Sequence, residues 1–361
     1  MKFIEEFRDK ELCQRVLAKI KSYGFPAIFM EVCGTHTVSL FRFGIRQMLP
    51  PTIKVISGPG CPVCVTSQQD IENALALASL PNTILLTFGD MMKVPAKSGS
   101  LERKRAEGAD VRVVYSPLDA LKIAKNNPDK LCIFLAVGFE TTAPATASSI
   151  LRARDENLRN FKVFSLHKLI PPAMRAILEM GESKIQGFIC PGHVSTIIGA
   201  KPYRFIPEEY GIPCVIAGFE PLDILQAIYM LMDMLDKGTS DVKIQYKRAV
   251  REEGNPLALE IMWKVFEEGD AVWRGLGYLP STALKIREEF SDYDAMYLLK
   301  DMPVTEAEEN PLCRCGEVIR GVAEPTECPL FKRVCNPSQP IGPCMVSSEG
   351  TCSAYYKYAP S

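Results

Sequence analysis

From Pro26 to Ala217 short apolar runs alternate with segments of helical periodicity, and this alternation limits the fold more than any other feature. The apolar runs cover 27–32, 53–56, 83–88, 111–115, 131–137, 162–166, 187–190 and 213–217; helix candidates cover 36–48, 67–80, 117–126, 143–156, 171–181 and 221–237. Strand, helix and strand in succession form a βαβ unit, and such units build parallel sheets. Eight strands suit two sheets better than one. The turn-rich stretch Asn126-Asn127-Pro128 supplies an expected boundary.

The expected organisation has four parts. Residues 1–24 carry an amphipathic helix (Leu12, Val16 and Ile20 on one stripe) that packs on the third domain. Residues 25–127 and 128–238 form two α/β domains facing a central cleft. Residues 239–361 form a mostly helical domain with a Cys-rich tail. Segments 256–268, 270–276 and 281–290 read as short helices, with Trp263 and Trp273 as core anchors.

Open α/β sheets bind ligands beyond the carboxyl ends of their strands. The turns expected there are Cys33-Gly34-Thr35-His36, Ser57–Cys64, Gly89-Asp90, Gly138-Phe139-Glu140-Thr141, Cys190-Pro191-Gly192-His193 and Gly218-Phe219-Glu220. The Gly-Phe-Glu triplet occurs twice, a weak sign of internal duplication. Neither a P-loop nor a Gly-x-Gly-x-x-Gly follows any strand, which argues against nucleotide chemistry. A formal net charge of −1 without a basic block argues against nucleic acid or an anionic membrane as the main partner. The opening residues lack a secretory pattern, and no apolar run is long enough to span a bilayer, so a cytoplasmic location is expected.

Thirteen cysteines in such a compartment point to metal or redox chemistry rather than structural disulfides. Cys61 and Cys64 stand two residues apart on a strand-to-helix turn stiffened by Pro59 and Pro62. A helix N-terminus at this place favours thiolate. The pair suits metal binding or disulfide exchange; the alternative is two small core residues flanking a turn. Cys33, beside Gly34 and His36, is a third site thiol. His36 and His193 are two of three histidines, and both fall on these turns, either as structural residues or as partners of a bound anion. Cys132 and Cys214 read as core, and Cys190 is ambiguous.

In the tail, Cys315, Cys328, Cys335 and Cys352 are separated by twelve, six and sixteen residues. Four thiolates suit a [4Fe–4S] cluster or structural zinc, and the absence of a tight C-x₂₋₄-C pair leans toward the cluster. Cys313 and Cys344 read either as a dithiol relay or as a spare ligand and a core residue.

Cys-Gly-Thr-His at 33–36, Gly-Pro-Gly-Cys-Pro-Val-Cys at 58–64, Gly-Phe-Glu-Thr-Thr at 138–142, Pro-Gly-His-Val-Ser at 191–195 and Gly-Pro-Cys-Met-Val-Ser-Ser-Glu-Gly at 342–350 resemble the HypD-type hydrogenase maturation factors. The likeness runs from about residue 25 to the C-terminus. The resemblance implies a scaffold on which the Fe(CN)₂CO group of [NiFe]-hydrogenases is assembled, with a small HypC-type chaperone sharing the iron and a HypE-type protein delivering cyanide. It implies that Cys33 ligates that iron with Cys61 and Cys64 beside it as the redox-active pair. It further implies that Cys315, Cys328, Cys335 and Cys352 hold a [4Fe–4S] cluster, and that His193 and Glu349 are needed for function. The implied role is a cofactor-assembly scaffold rather than a conventional turnover enzyme. Two other classes use the same cysteines: a cluster-dependent thiol–disulfide oxidoreductase, and a purely structural metal-binding partner.

Overall fold

The computed structural model describes residues 4–300 and 302–359. All eight apolar runs form strands: β1 Ala27–Glu31, β2 Ile53–Ser57, β3 Thr83–Thr87, β4 Asp110–Val113, β5 Leu131–Gly138, β6 Phe161–His167, β7 Gly187–Pro191 and β8 Cys214–Ala217. A ninth short strand, β9 Val242–Ile244, follows the long helix Pro221–Asp236. They build two parallel sheets, one in the order β2-β1-β7-β8-β9 and the other β4-β3-β5-β6. Central strands such as β3 and β8 are buried along their whole length, as parallel strands covered on both faces must be.

The expected division at 126–128 is corrected by this pairing. The four-stranded sheet, 83–167, is inserted between β2 and β7 of the five-stranded one. The turn at Asn126–Pro128 is only a loop inside that insert. Its composition marks a change of direction, whereas sheet membership depends on a long-range contact. At that contact β1 meets β7, with Phe29 opposite Gly187. A Cβ on Gly187 would come within 2.9 Å of Phe29 Cδ1 and 3.0 Å of Leu231 Cδ2, so the strands meet in this register only over a glycine.

The N-terminal helix is Lys10–Ser22, N-capped by Asp9. It packs against Pro221–Asp236 on the outer face of the five-stranded sheet, not on the C-terminal domain as expected. Its stripe closes on Ile20, which is fully buried, while Leu12 is exposed.

The third domain is not mostly helical. The helix Pro256–Val265 forms, but the two expected helices after it are replaced by an antiparallel hairpin, β10 Phe266–Trp273 and β11 Gly277–Ile286. Leu279, Thr282, Leu284 and Ile286 point inward, and Gly275 and Gly277, at φ +81° and +78°, make the turn. Trp273 is 1% exposed and donates its Nε1–H to Thr282 Oγ1 at 2.8 Å. Trp263, on the outer side of its helix, is 37% exposed and anchors no core. The hairpin touches both lobes, through bridges of Trp273 to Thr66 and Ala283 to Lys168. Beyond it, residues 311–359 contain only short helices and turns around the tail cysteines. No helix of the described residues is long and apolar enough to cross a membrane.

Candidate metal and thiol centre

Parallel pairing puts the carboxyl ends of β1 and β2 side by side, and with them the turns that carry Cys33 and Cys61. Gly34 N–H donates to Gly60 O at 2.9 Å, and Gly58 N–H to Glu31 O at 2.7 Å. A Cβ at Gly60 would lie 2.1 Å from Cys33 N and 2.5 Å from Cys33 Cα. The glycines of the 58–64 motif therefore let the two cysteine turns touch backbone to backbone. Cys33 occupies the N-cap of the helix Gly34–Arg42. Beneath it lies Glu31, 1% exposed, whose Oε2 accepts from Cys33 N–H at 3.0 Å and whose Oε1 accepts from the Thr37 hydroxyl.

Cys61 caps a separate single turn, Pro62–Val65, and its Sγ accepts from Cys64 N–H at 3.4 Å. The helix expected at 67–80 begins later, at Gln68 with Ser67 as N-cap. Cys33, Cys61 and Cys64 are 7%, 5% and 2% exposed. For Cys64 that burial corrects the thiolate expectation. Desolvation, reinforced by Glu349 and Glu31, pushes the Cys33 thiol up to about 12. Burial and the sulfurs of Cys344 and Cys61 push Cys64 well above the ordinary thiol range. A four-residue turn offers too little dipole to outweigh desolvation.

The tail cysteines converge. Cys313, Cys315, Cys328, Cys335, Cys344 and Cys352 line one pocket, closed by Leu330, Phe331 and Met345. Cys344 is the hub, in side-chain contact with Cys315, Cys352 and Cys64, while Cys315 contacts Cys313. A file of sulfurs thus runs from Cys61 through Cys64 and Cys344 to the tail, with Cys313 at its half-exposed end. The donors are all soft, the walls are apolar, and Cys335 Sγ receives the N–H of Ile341 at 3.3 Å. That donor set fits an iron–sulfur cluster. Among the described residues no three His, Cys, Asp or Glu side chains converge closely enough to hold a single metal ion.

The two histidines separate in role. His36 is fully buried; its Nε2–H donates to Gly218 O at 3.0 Å and Ala217 O at 3.2 Å, and burial lowers its pKa to about 4. This ties the helix Gly34–Arg42 to the end of β8, and the other ring nitrogen, Nδ1, is buried without a hydrogen-bond partner. His193 is solvent-exposed and stacks on Phe219 at 4.0 Å, and His36 also stacks on that ring, at 4.9 Å. Desolvation lowers the pKa of His193 while the charge of Glu349 opposes the fall. Glu349 accepts from the Thr35 hydroxyl at 2.6 Å, and its Cβ packs where a Cβ of Gly34 would stand. Cys132, Cys190 and Cys214 are buried within strands, and Cys13 is half-buried.

Sequence reasoning passed over Glu31, Thr35, Ser347, Asp90 and Phe219, all within or next to motifs it had singled out. The available signal was an acid at the end of an apolar run, two residues before a site cysteine.

The family model described as "Hydrogenase formation hypA family" (HypD) matches residues 9–359. Hydrogenase maturation factor HypD2 of Bradyrhizobium diazoefficiens is 47% identical, covering 99% of this chain and 97% of that protein. Hydrogenase maturation factor HypD of Cupriavidus necator is also 47% identical with the same coverage. HypD of Escherichia coli K12 is 42% identical over 99% of this chain and 98% of its own length. With a family model matched over residues 9–359 and relatives 42–47% identical over 99% of its length, the chain belongs to the HypD family of hydrogenase maturation factors.

Proposed function

We propose that this protein is the scaffold on which an iron destined for a [NiFe]-hydrogenase receives its cyanide and CO ligands, in complex with a small HypC-type chaperone and supplied by a HypE-type cyanide donor. The observation that carries the reading is the contact between the Cys33 and Cys61 turns, continued by sulfur into the tail. Iron is the cargo, and Cys33, beyond the end of β1 and against the Cys61 turn, is its ligand from this chain. Soft thiolate donation suits an electron-rich iron that must bind strong-field diatomic ligands. Cys61 and Cys64 serve as the redox pair beside it, and Cys344 with Cys313 as the dithiol relay behind them.

Cys315, Cys328, Cys335 and Cys352 would hold the [4Fe–4S] cluster, which when bound supplies single electrons at low potential. The chain's own part is to exclude water, to keep the thiols in register, and to present His193 and Glu349 as hydrogen-bond or proton partners of the incoming ligands. The void lined by Gly60, Cys61, Cys64, Cys344 and Glu349 has a free volume of about 10 Å³, room for at most about one water. Cargo therefore enters only when these turns part, and partner docking is the natural trigger.

The oxidoreductase alternative uses the same buried thiols, Cys61, Cys64 and Cys344, but has no need of Cys33. The test is anaerobic co-expression with the chaperone and cyanide donor, followed by metal analysis of the purified complex. The scaffold reading expects iron beyond the cluster's own in the wild-type complex, and loss of that extra iron alone in Cys33→Ser. Extra iron that survives Cys33→Ser would overturn it.

A further inference from the structure

Glu349 lies on a tight turn of the C-terminal segment, held at two points. Its Oε1 accepts the Thr35 hydroxyl proton at 2.6 Å, a short charge-assisted bond. Its backbone N–H donates to Ser347 Oγ at 3.2 Å. Ser347 is 1% exposed and donates its own proton to Asp90 Oδ2 at 2.9 Å. Asp90 follows β3 of the four-stranded sheet, Thr35 follows β1 of the five-stranded sheet, and Ser347 belongs to the tail. The hydrogen bonds thus cross all three parts of the fold. Their polarity is fixed: a hydroxyl has one proton, so Ser347 gives it to Asp90 and receives from Glu349, and Thr35 gives its proton to Glu349. Glu349 Oε2 has no hydrogen bond from any described residue and is left to face the cleft.

We propose that Thr35, Ser347 and Asp90 are positioning residues for Glu349, fixing where its carboxylate, and with it the negative charge that reaches His193, stands above the cysteine turns. This rests on the reading of His193 and Glu349 as proton or hydrogen-bond partners. Thr35 sets the side chain, and Ser347, itself anchored by Asp90, sets the backbone from which it springs. The neighbouring charges are few: Glu349 acts on His193 favourably, and buried His36 stays neutral.

The test is the titration of His193, followed by NMR on its Cε1–H in the full chain. Only three histidines are present, and burial lowers His36 to about 4 and His167 to about 3, so the His193 signal is assigned by its loss in His193→Gln. Glu349→Gln should lower the His193 midpoint. Thr35→Val should lower it in the same direction by about half a unit or more, as expected when an opposite charge is no longer held close. Thr35→Ser should restore it, and Thr35→Val added to Glu349→Gln should change nothing further. Ser347→Ala should mimic Thr35→Val, so the proposal stays testable if either variant folds poorly. Should Glu349→Gln move His193 while Thr35→Val and Ser347→Ala leave it in place, the positioning fails but the pair stands. Should Glu349→Gln itself leave His193 unmoved, the pair falls and the positioning with it.

Discussion

Replacing Gly60 by alanine puts the central contact under direct strain. The added Cβ would meet Cys33 N at 2.1 Å, Val32 C at 2.4 Å and Cys33 Cα at 2.5 Å, where ordinary contact begins at 3.4 Å. All three neighbours are backbone of β1's end, so no side chain can swing aside. The turns must separate by the better part of an ångström, at the expense of the Gly34 N–H to Gly60 O bond. Overpacking of this kind costs about 3 kcal/mol or more. In a scanning calorimeter that corresponds to a fall of roughly 6 °C or more in the transition of the five-stranded lobe. Gly89→Ala is the control, since its Cβ meets only Val113 Cγ1 at 3.7 Å. The functional readout is hydrogenase maturation in a strain lacking its own copy of the protein, which should be lost in Gly60→Ala and kept in Gly89→Ala. A Gly60→Ala protein that melts within a degree of wild type and still supports maturation would refute the claim that these turns must touch.

Trp263 and Trp273 should behave differently toward a collisional quencher: iodide should quench Trp263, and the emission left in Trp263→Phe should be blue-shifted and shielded. Trp273→Phe should destabilise by about 1–2 kcal/mol, from lost packing and the lost bond to Thr282. Glu140, 2% exposed, accepts from Ile170 N–H at 3.0 Å through Oε1 while Oε2 has no partner, and burial raises its pKa to about 7. An acid raised on folding lends stability that is full below its unfolded value of 4.5 and is lost as pH climbs toward 7. Denaturation of Glu140→Gln should therefore show a flatter profile between pH 4.5 and 7, the difference being of order 1–3 kcal/mol. If the tail cysteines hold the proposed cluster, a chelator under anaerobic conditions should lower the unfolding temperature of wild type. Cys335→Ser, which removes one of the proposed ligands, should then respond little.

Strand content was legible because a parallel strand buried on both faces is an apolar run, and β3, β5 and β8 are nearly pure ones. The assignment of strands to sheets was not legible, because Phe29 and Gly187 declare their pairing only when they meet in space. Residues 270–276 and 281–290 were misread as helices although Thr282, Leu284 and Ile286 point inward; Pro280 and Ser281 break the even alternation from Leu279 that would have revealed a strand. In the site, shared motifs brought Cys33, Cys61 and Cys64 to neighbouring turns and gathered the six tail cysteines around one pocket. The protonation of Cys64 was misjudged, because a helix start can be read from sequence and burial cannot. His36 failed for the same reason: it sits inside the helix Gly34–Arg42, and its two backbone acceptors at the end of β8 were not legible.

The central claim is that Cys33, backed by the Cys61–Cys64 turn and the sulfur file behind it, carries the iron while its diatomic ligands are installed. Infrared spectroscopy of the complex with the small chaperone, purified anaerobically from cells with an intact maturation system, measures this most directly. The account predicts cyanide and CO stretching bands in the wild-type complex and none in the complex formed by Cys33→Ser. Bands that persist in Cys33→Ser, or a wild-type complex that forms cleanly and shows none, would contradict it.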